Sequence, residues 1–200
     1  MDLSDLYGSW IHNVPAPTTA RCAIVLTLDN LGEAAALERG TWSPRVPIGR
    51  DPSVTDALPR LLDELDANGL TATFFVEAIN CEHNPRALRE IADRGHELGL
   101  HGWRHEPWAA LALEDERALL ERGRSGFERV GLRAAAFRPP GGEPTAHTAR
   151  MLEELGFDWW SPAAGTARAG DGPICIPFDW ELVDAYHLMD RFASLRRARG

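Results

Sequence analysis

The chain of 200 residues has no lysine; all 21 of its Lys and Arg positions are arginine. That absence excludes Schiff-base chemistry at a lysine and the phosphate-gripping lysine of a P-loop. Cysteine is scarce as well. Cys22, Cys81 and Cys175 are odd in number and far apart, with no Cys-x-x-Cys pair. Neither a thiolate metal site nor a disulfide framework is expected, and the three read as free thiols of a reducing compartment. No apolar run reaches bilayer-spanning length, so no membrane association is expected. The opening MDLSDLYGSWIHNVP is acidic and lacks the apolar stretch of a secretion signal, which makes the expected compartment cytoplasmic. Positive charge is also short: the net charge is -9, the wrong sign for a nucleic-acid partner.

What is present is a globular composition, 44% hydrophobic, in a length suited to one domain. Residues 1–20 read as a polar lead-in. Cys22 to Leu28 is a continuous apolar run, the pattern of a fully buried strand. Asn30 to Ser53 carries much Gly and Pro and reads as one long loop. SVTDALPRLLDELDANG spaces Val54, Leu58, Leu61, Leu62 and Leu65 for a helix ending at Gly69. LTATFFVEA is a strand; NPRALREIADRG is a helix with Asn84 as its cap and Pro85 at its first position. A short strand in HELGL, an amphipathic helix in LEDERALLERGRSGFERVG, a short strand and Pro-Gly loop in RAAAFRPPGG, a helix in TAHTARMLEELG, and strands in FDWWSP and PICIPFDW follow. ELVDAYHLMDRFASLRRARG closes the chain with helical character. Strand and helix alternate throughout, the signature of an α/β fold with a mainly parallel sheet.

In such folds the active site gathers at the C-terminal ends of the strands. The residues after successive strands are Asp29-Asn30, Glu77, His101 to His105, Arg138, and Asp184 to His187. HGWRH sets His101 and His105 four apart, the spacing that puts two imidazoles on one side of a helical turn, within reach of one metal ion. Two surface histidines at chance spacing is the competing explanation. Arg138 in FRPPGG offers a planar fork for a carboxylate or a substrate oxygen, or simply caps a structural turn. In VDAYH, Asp184 can orient His187 and raise its pKa, or the two form a surface pair. Trp103, Trp108, Trp159, Trp160 and Trp180 lie near these motifs, where they can wall a small or sugar-like ligand or serve as core.

As an ordered set, TLDN (Thr27 to Asn30), GHELGL leading into HGWRH (His101 to His105), and RPPGG with Arg138, Pro140 and Gly142 in register resemble the NodB-homology polysaccharide deacetylases, carbohydrate esterase family 4. ATFFVE resembles that family's second strand. The resemblance runs from about Cys22 to Phe157. It implies a distorted (β/α) barrel and a divalent metal, zinc (Zn2+) first, with Co2+ or Ni2+ as substitutes. It implies Asp29 as general base, Asn30, His101 and His105 as metal ligands, and Arg138 as the group that steadies Asp29. His187, partnered by Asp184, is the implied acid for the leaving amine. Glu77, Trp103, Trp108, Pro140, Gly141 and Trp180 are the expected substrate contacts.

Three departures stand out. The second acid of the family's first motif is Asn30. Its fourth motif is reduced to FDW, Phe178 to Trp180. Its fifth becomes AYHL, an ending that resembles the branch holding peptidoglycan deacetylase-like and allantoinase-like hydrolases. With so little chain after His187, the barrel is expected to be open on that side or completed by a second subunit in a homo-oligomer. The expected function is metal-dependent hydrolysis of an amide C–N bond, N-deacetylation of a small N-acylated or sugar-like substrate. Two alternatives stand beside it: a metal-independent cyclic-amide hydrolase, and a non-catalytic ligand-binding barrel.

Overall fold

The computed structural model describes residues 24–165, 167–170, 172–193 and 197, so Cys22 and the lead-in lie outside the described residues. In chain order the elements are β1 (Thr27–Asp29), α1 (Ala34–Glu38), a π-helical turn (Ser53–Ala57) running into α2 (Leu58–Ala67), β2 (Thr73–Val76), α3 (Asn80–His83), α4 (Pro85–Asp93), β3 (Glu97–Leu100), α5 (Leu113–Arg129), β4 (Ala136–Phe137), α6 (Thr148–Glu154), β5 (Trp159–Trp160), β6 (Ile174–Cys175) and α7 (Asp184–Leu188). The six strands lie side by side in sequence order, every neighbouring pair parallel. This is the strand order of a (β/α) barrel. Among the described residues the sheet is not closed: β1 and β6 remain as its two edges. No helix among them is long and apolar enough to cross a membrane.

Strand pleat sorts the side chains into two layers. Phe74, Val76, Leu98, Leu100, Phe137, Trp160 and Cys175 point outward and join the large core under the helices, with Leu62, Leu88, Ile91, Leu120, Met151 and Leu152 among its most buried members. Phe75, Ala136 and Trp159 alternate with these and form a second, inner cluster with Ile174 and Ile176. Below that cluster Thr73 and Trp159 both donate to Glu97, at 3.2 and 2.8 Å. Above it, at the C-terminal ends, the same inner parity brings Asp29 and Arg138 together.

Gly99 is what lets Phe75 occupy the inner layer. The two are register partners on β3 and β2. A Cβ on Gly99 would lie 2.5 Å from Phe75 Cδ1 and 2.6 Å from Cε1. A phenyl ring held between neighbours cannot give that distance without moving its backbone.

Three expectations change. The run ending at Leu28 is not a fully buried strand: β1 has three residues, and Ile24, Val25 and Leu26 are 91%, 38% and 40% exposed. An edge strand with a neighbour on one side cannot bury both faces. The long loop after Asn30 contains α1, whose Ala34 and Ala35 are buried. Asn84 does sit at the start of α4, but its side chain makes no cap; it donates to Asn80 Oδ1 at 2.8 Å. In the closing segment the described residues form α7, flanked by 3-10 turns at Trp180–Leu182 and Asp190–Phe192, and Ala193 and Arg197 are helical as well.

Gly99→Ala is expected to destabilise the fold by about 1–3 kcal/mol through overpacking against Phe75. Urea unfolding checks it; an unchanged midpoint would show that the inner layer has slack.

Candidate active site

Four strand ends meet around one guanidinium. Arg138, immediately after β4, lies between two aromatic faces, its Cζ 4.4 Å from the Phe75 ring centroid and 4.6 Å from that of Phe178. Nη1 donates to Asp29 Oδ1 at 2.8 Å and Thr27 Oγ1 at 3.0 Å; Nη2 donates to Ser161 Oγ at 2.7 Å. One side chain therefore ties β1, β4 and the end of β5. The Arg138 side chain is 4% exposed and that of Asp29 is 25% exposed. The acid is held from behind and open in front. Burial pulls the Arg138 pKa down, against the opposing pull of Asp29, but an arginine so placed stays charged.

His101 Nδ1 lies 2.8 Å from the Arg138 carbonyl oxygen. A carbonyl can only accept, so Nδ1 carries the proton and Nε2 keeps its lone pair, the tautomer a metal ligand needs. The His105 ring stands edge-on to it, centroids 5.0 Å apart. The pair does not meet on a helical turn as the spacing suggested. Residues 101–107 form an irregular loop, turned by Gly102 at φ +74° and His105 at φ +75°. Glu106 staples that loop by accepting from Trp103 N and Arg104 N, both at 2.9 Å. Burial lowers the pKa of His101. Burial first, and then His101, lower that of His105 to about 4. Both rings are thus neutral at neutral pH.

Asn30 follows Asp29 in the left-handed conformation, φ +63°, and is exposed. Glu77 is fully buried; burial raises its pKa to about 8, with Asp29 and Glu106 adding to the rise. Glu77 Oε2 accepts from Leu31 N at 3.3 Å, while Oε1 has no partner.

The other expected substrate contacts divide. Trp103 and Trp108, 2% and 1% exposed, are core residues and present no face to a ligand. Trp103 is covered by the Arg122 guanidinium at 3.7 Å. Trp108 donates to the buried Glu116 at 3.0 Å, a carboxylate that also accepts from Thr145 Oγ1 at 2.6 Å and from Thr148 Oγ1. Pro140 is buried and Gly141 is exposed. Trp180 is half-buried and packs on Phe178, the ring that covers Arg138. His187 is not gathered with these groups. It is exposed, its Nε2 lies 2.7 Å from the Glu181 carbonyl oxygen rather than against Asp184, and its ring packs on Tyr186. Asp184 starts α7 and is exposed. A cavity of about 370 Å³ lies beside the cluster, lined by Trp160, Pro162, Arg168 and Cys175 among others, but by none of Asp29, His101, His105 or Arg138.

From the sequence alone, Phe75, Ser161 and Glu106 have no place in the site, and Thr27 and Phe178 enter only as motif residues. Thr27 opens the TLDN motif and Ser161 directly follows β5, and strand parity is the signal that could have given them a role.

The donor set fits a divalent cation in part. Two neutral imidazoles, one with its tautomer set by a backbone carbonyl, are suitable nitrogen ligands. The third candidate, Asn30, offers a neutral amide oxygen. Among the described residues no group of three or more His, Cys, Asp or Glu side chains is placed to hold a metal. A cation here would keep its full double charge.

A family model described as polysaccharide deacetylase matches residues 21–160. The peptidoglycan-N-acetylglucosamine deacetylase PgdA of Listeria monocytogenes is 28% identical over an alignment of 165 positions that covers 74% of this chain and 34% of that protein. The chain thus spans about a third of the length of this curated relative. Among solved structures, a candidate polysaccharide deacetylase from Mycobacterium smegmatis matches with a TM-score of 0.73 at 28% identity, covering 93% of this chain and 73% of the other. Puue allantoinase has the same fold, TM-score 0.61 at 20% identity over 99% of this chain and 77% of its own.

In the metal-free protein the low pKa of His105 makes folding sensitive to acid. Above about pH 6.5 the ring is neutral in both states; as pH falls toward about 4 the unfolded chain takes up a proton that the native site refuses. Stability should therefore be lost across that window. Urea midpoints should fall less steeply in His105→Phe than in the parent chain, and parallel losses in the two would remove His105 as the cause.

Proposed function

The chain belongs to the polysaccharide deacetylase family, and from that premise we propose that it hydrolyses an amide C–N bond, releasing the acyl group of a small N-acylated, sugar-like substrate. The observation that carries this reading is the Arg138–Asp29 pair, 2.8 Å apart, opening beside two neutral imidazoles. Arg138 occupies Asp29 Oδ1 and leaves Oδ2 to take a proton from the attacking water. The same carboxyl can return that proton to the departing amine, so the exposed His187 need not reach the site. Ser161 and Thr27 hold the guanidinium still while the carboxylate changes charge.

His101, His105 and Asn30 are the residues we propose to hold a divalent metal, zinc first, with cobalt or nickel as substitutes. Bound there, it would polarise the amide carbonyl and favour the developing oxyanion. The missing carboxylate weakens the hold on the cation and sharpens its acidity together. His101 keeps its ligand nitrogen Nε2 free because its single ring proton sits on Nδ1, which donates to the Arg138 carbonyl.

N-acetylchitotetraose is a suitable probe, with acetate release as the readout. Asp29→Asn should lower kcat by about 10²–10⁴-fold and leave zinc content unchanged. His101→Ala should abolish zinc binding, and Asn30→Asp should tighten it by calorimetric titration. Turnover that survives EDTA in protein without zinc would shift the reading to a metal-independent cyclic-amide hydrolase. No turnover, with ligand binding unchanged in Asp29→Asn, would leave a binding barrel.

A further inference from the structure

We propose that Glu77 and Asn80 are positioning residues: they hold the two backbone polar groups of Leu31 and thereby fix the turn that carries Asp29 and Asn30. The need for such a device follows from β1 itself. It has three residues, lies at the sheet edge, and is preceded by the exposed Ile24, Val25 and Leu26. It then ends on a non-glycine residue in left-handed backbone, Asn30 at φ +63°. A residue in that region persists where its surroundings over-determine it. Arg138 pins the Asp29 carboxylate, but it does nothing for the main chain that follows.

The clamp supplies that restraint. Glu77 Oε2 accepts from Leu31 N at 3.3 Å, and Asn80 Nδ2 donates to Leu31 O at 2.9 Å. Asn80 is itself aimed by two further bonds, from its Nδ2 to Glu77 O at 3.0 Å and from Asn84 Nδ2 to its Oδ1 at 2.8 Å. Glu77 and Asn80 are fully buried and Asn84 is 6% exposed. The chain lies directly on these amides. A Cβ at Gly32, φ +70°, would fall 2.9 Å from Asn80 Oδ1 and 3.0 Å from Asn84 Nδ2. Downstream, Gly32 N donates to Ser53 Oγ at 2.8 Å, and Glu33, also fully buried, accepts from Gly49 N at 2.9 Å. The polar floor under the turn therefore runs from β2 through α3 into the loop after α1. Every contact of the clamp needs an acceptor at Glu77 and none needs its negative charge. A fully buried carboxyl with no cation bonded to it is most stable protonated, so glutamine is its isostere. Leucine keeps the volume and removes the acceptor, leaving Leu31 N–H buried and unsatisfied.

The test compares Glu77→Leu, Glu77→Gln and Asn80→Ser in the whole chain by two readouts. The first is amide hydrogen exchange at Leu31, with Leu62 in α2 as an internal reference, and it is independent of substrate. Folded Glu77→Leu and Asn80→Ser should exchange Leu31 about tenfold or more faster, with Leu62 unchanged, while Glu77→Gln should match the parent. The second readout rests on the function proposed above: on N-acetylchitotetraose, kcat should fall about tenfold or more in Glu77→Leu, with KM little changed, and Glu77→Gln should restore most of it. Unchanged Leu31 exchange in a folded Glu77→Leu or Asn80→Ser overturns the clamp. Loss of kcat in Glu77→Gln as deep as in Glu77→Leu also overturns it, because charge would then be the working property. Should Glu77→Leu not fold, Asn80→Ser and Glu77→Gln decide by the same criteria. A parent chain without turnover, or with turnover indifferent to Asp29→Asn, refutes the functional reading alone, and Leu31 exchange then judges the clamp.

Discussion

The Arg138 guanidinium is the point on which the mouth of the sheet depends. Removing such a group from water is expensive, and the expense is offset to the extent that its donors and faces are filled. Here Asp29, Thr27 and Ser161 accept from its terminal nitrogens, Phe75 and Phe178 take its two faces, and the buried Nε alone of its three nitrogens has no partner. Its own carbonyl then sets the tautomer of His101. A single residue thus aims the acid on β1, the imidazole after β3, and the loop after β5. Replacing it with a smaller cation would lose the stacking and the fork together.

That arrangement is possible because the layer beneath it is packed to suit. Phe75 can lie flat under the guanidinium only because Gly99 leaves the neighbouring strand bare. Trp159 closes the layer edge-on to Phe75, ring centroids 5.3 Å apart, and its indole nitrogen is satisfied by Glu97 below. Chemistry at the top of the sheet therefore rests on steric exclusion in its middle and on a polar contact at its base. On the opposite side of the mouth, the Glu77–Asn80–Asn84 group gives the main chain after Asp29 the support that its short edge strand lacks.

Charge at the site is arranged with economy. Asp29 is paired with Arg138, both imidazoles are neutral, and Glu77 is buried with its pKa raised to about 8. With Asn30 where the family's first motif has an acid, a cation at this place would be met by little negative charge beyond Asp29. This is the physical difference between the site and a carboxylate-bearing one: weaker electrostatic retention of a cation, stronger polarisation of whatever touches it.

The alternation of strands and helices, and the rule that chemistry collects after strands, were legible in the linear order. Hydrophobic periodicity and cap residues are local properties, and Asp29, His101, His105 and Arg138 could be named from their places behind apolar runs. Tertiary structure alone decided which way side chains face once regular structure ends. Trp103 and Trp108 were drawn under the helices, because an indole satisfies a core as well as it satisfies a ligand. His187 bonded to a nearby carbonyl on an exposed helix instead of joining Asp29. His101 and His105 met through positive-φ turns that no residue spacing encodes. Glu77 and Asn80 found their partner 46 and 49 residues earlier in the chain. Such pairings depend on which loops come to lie on which, and only the assembled sheet determines that.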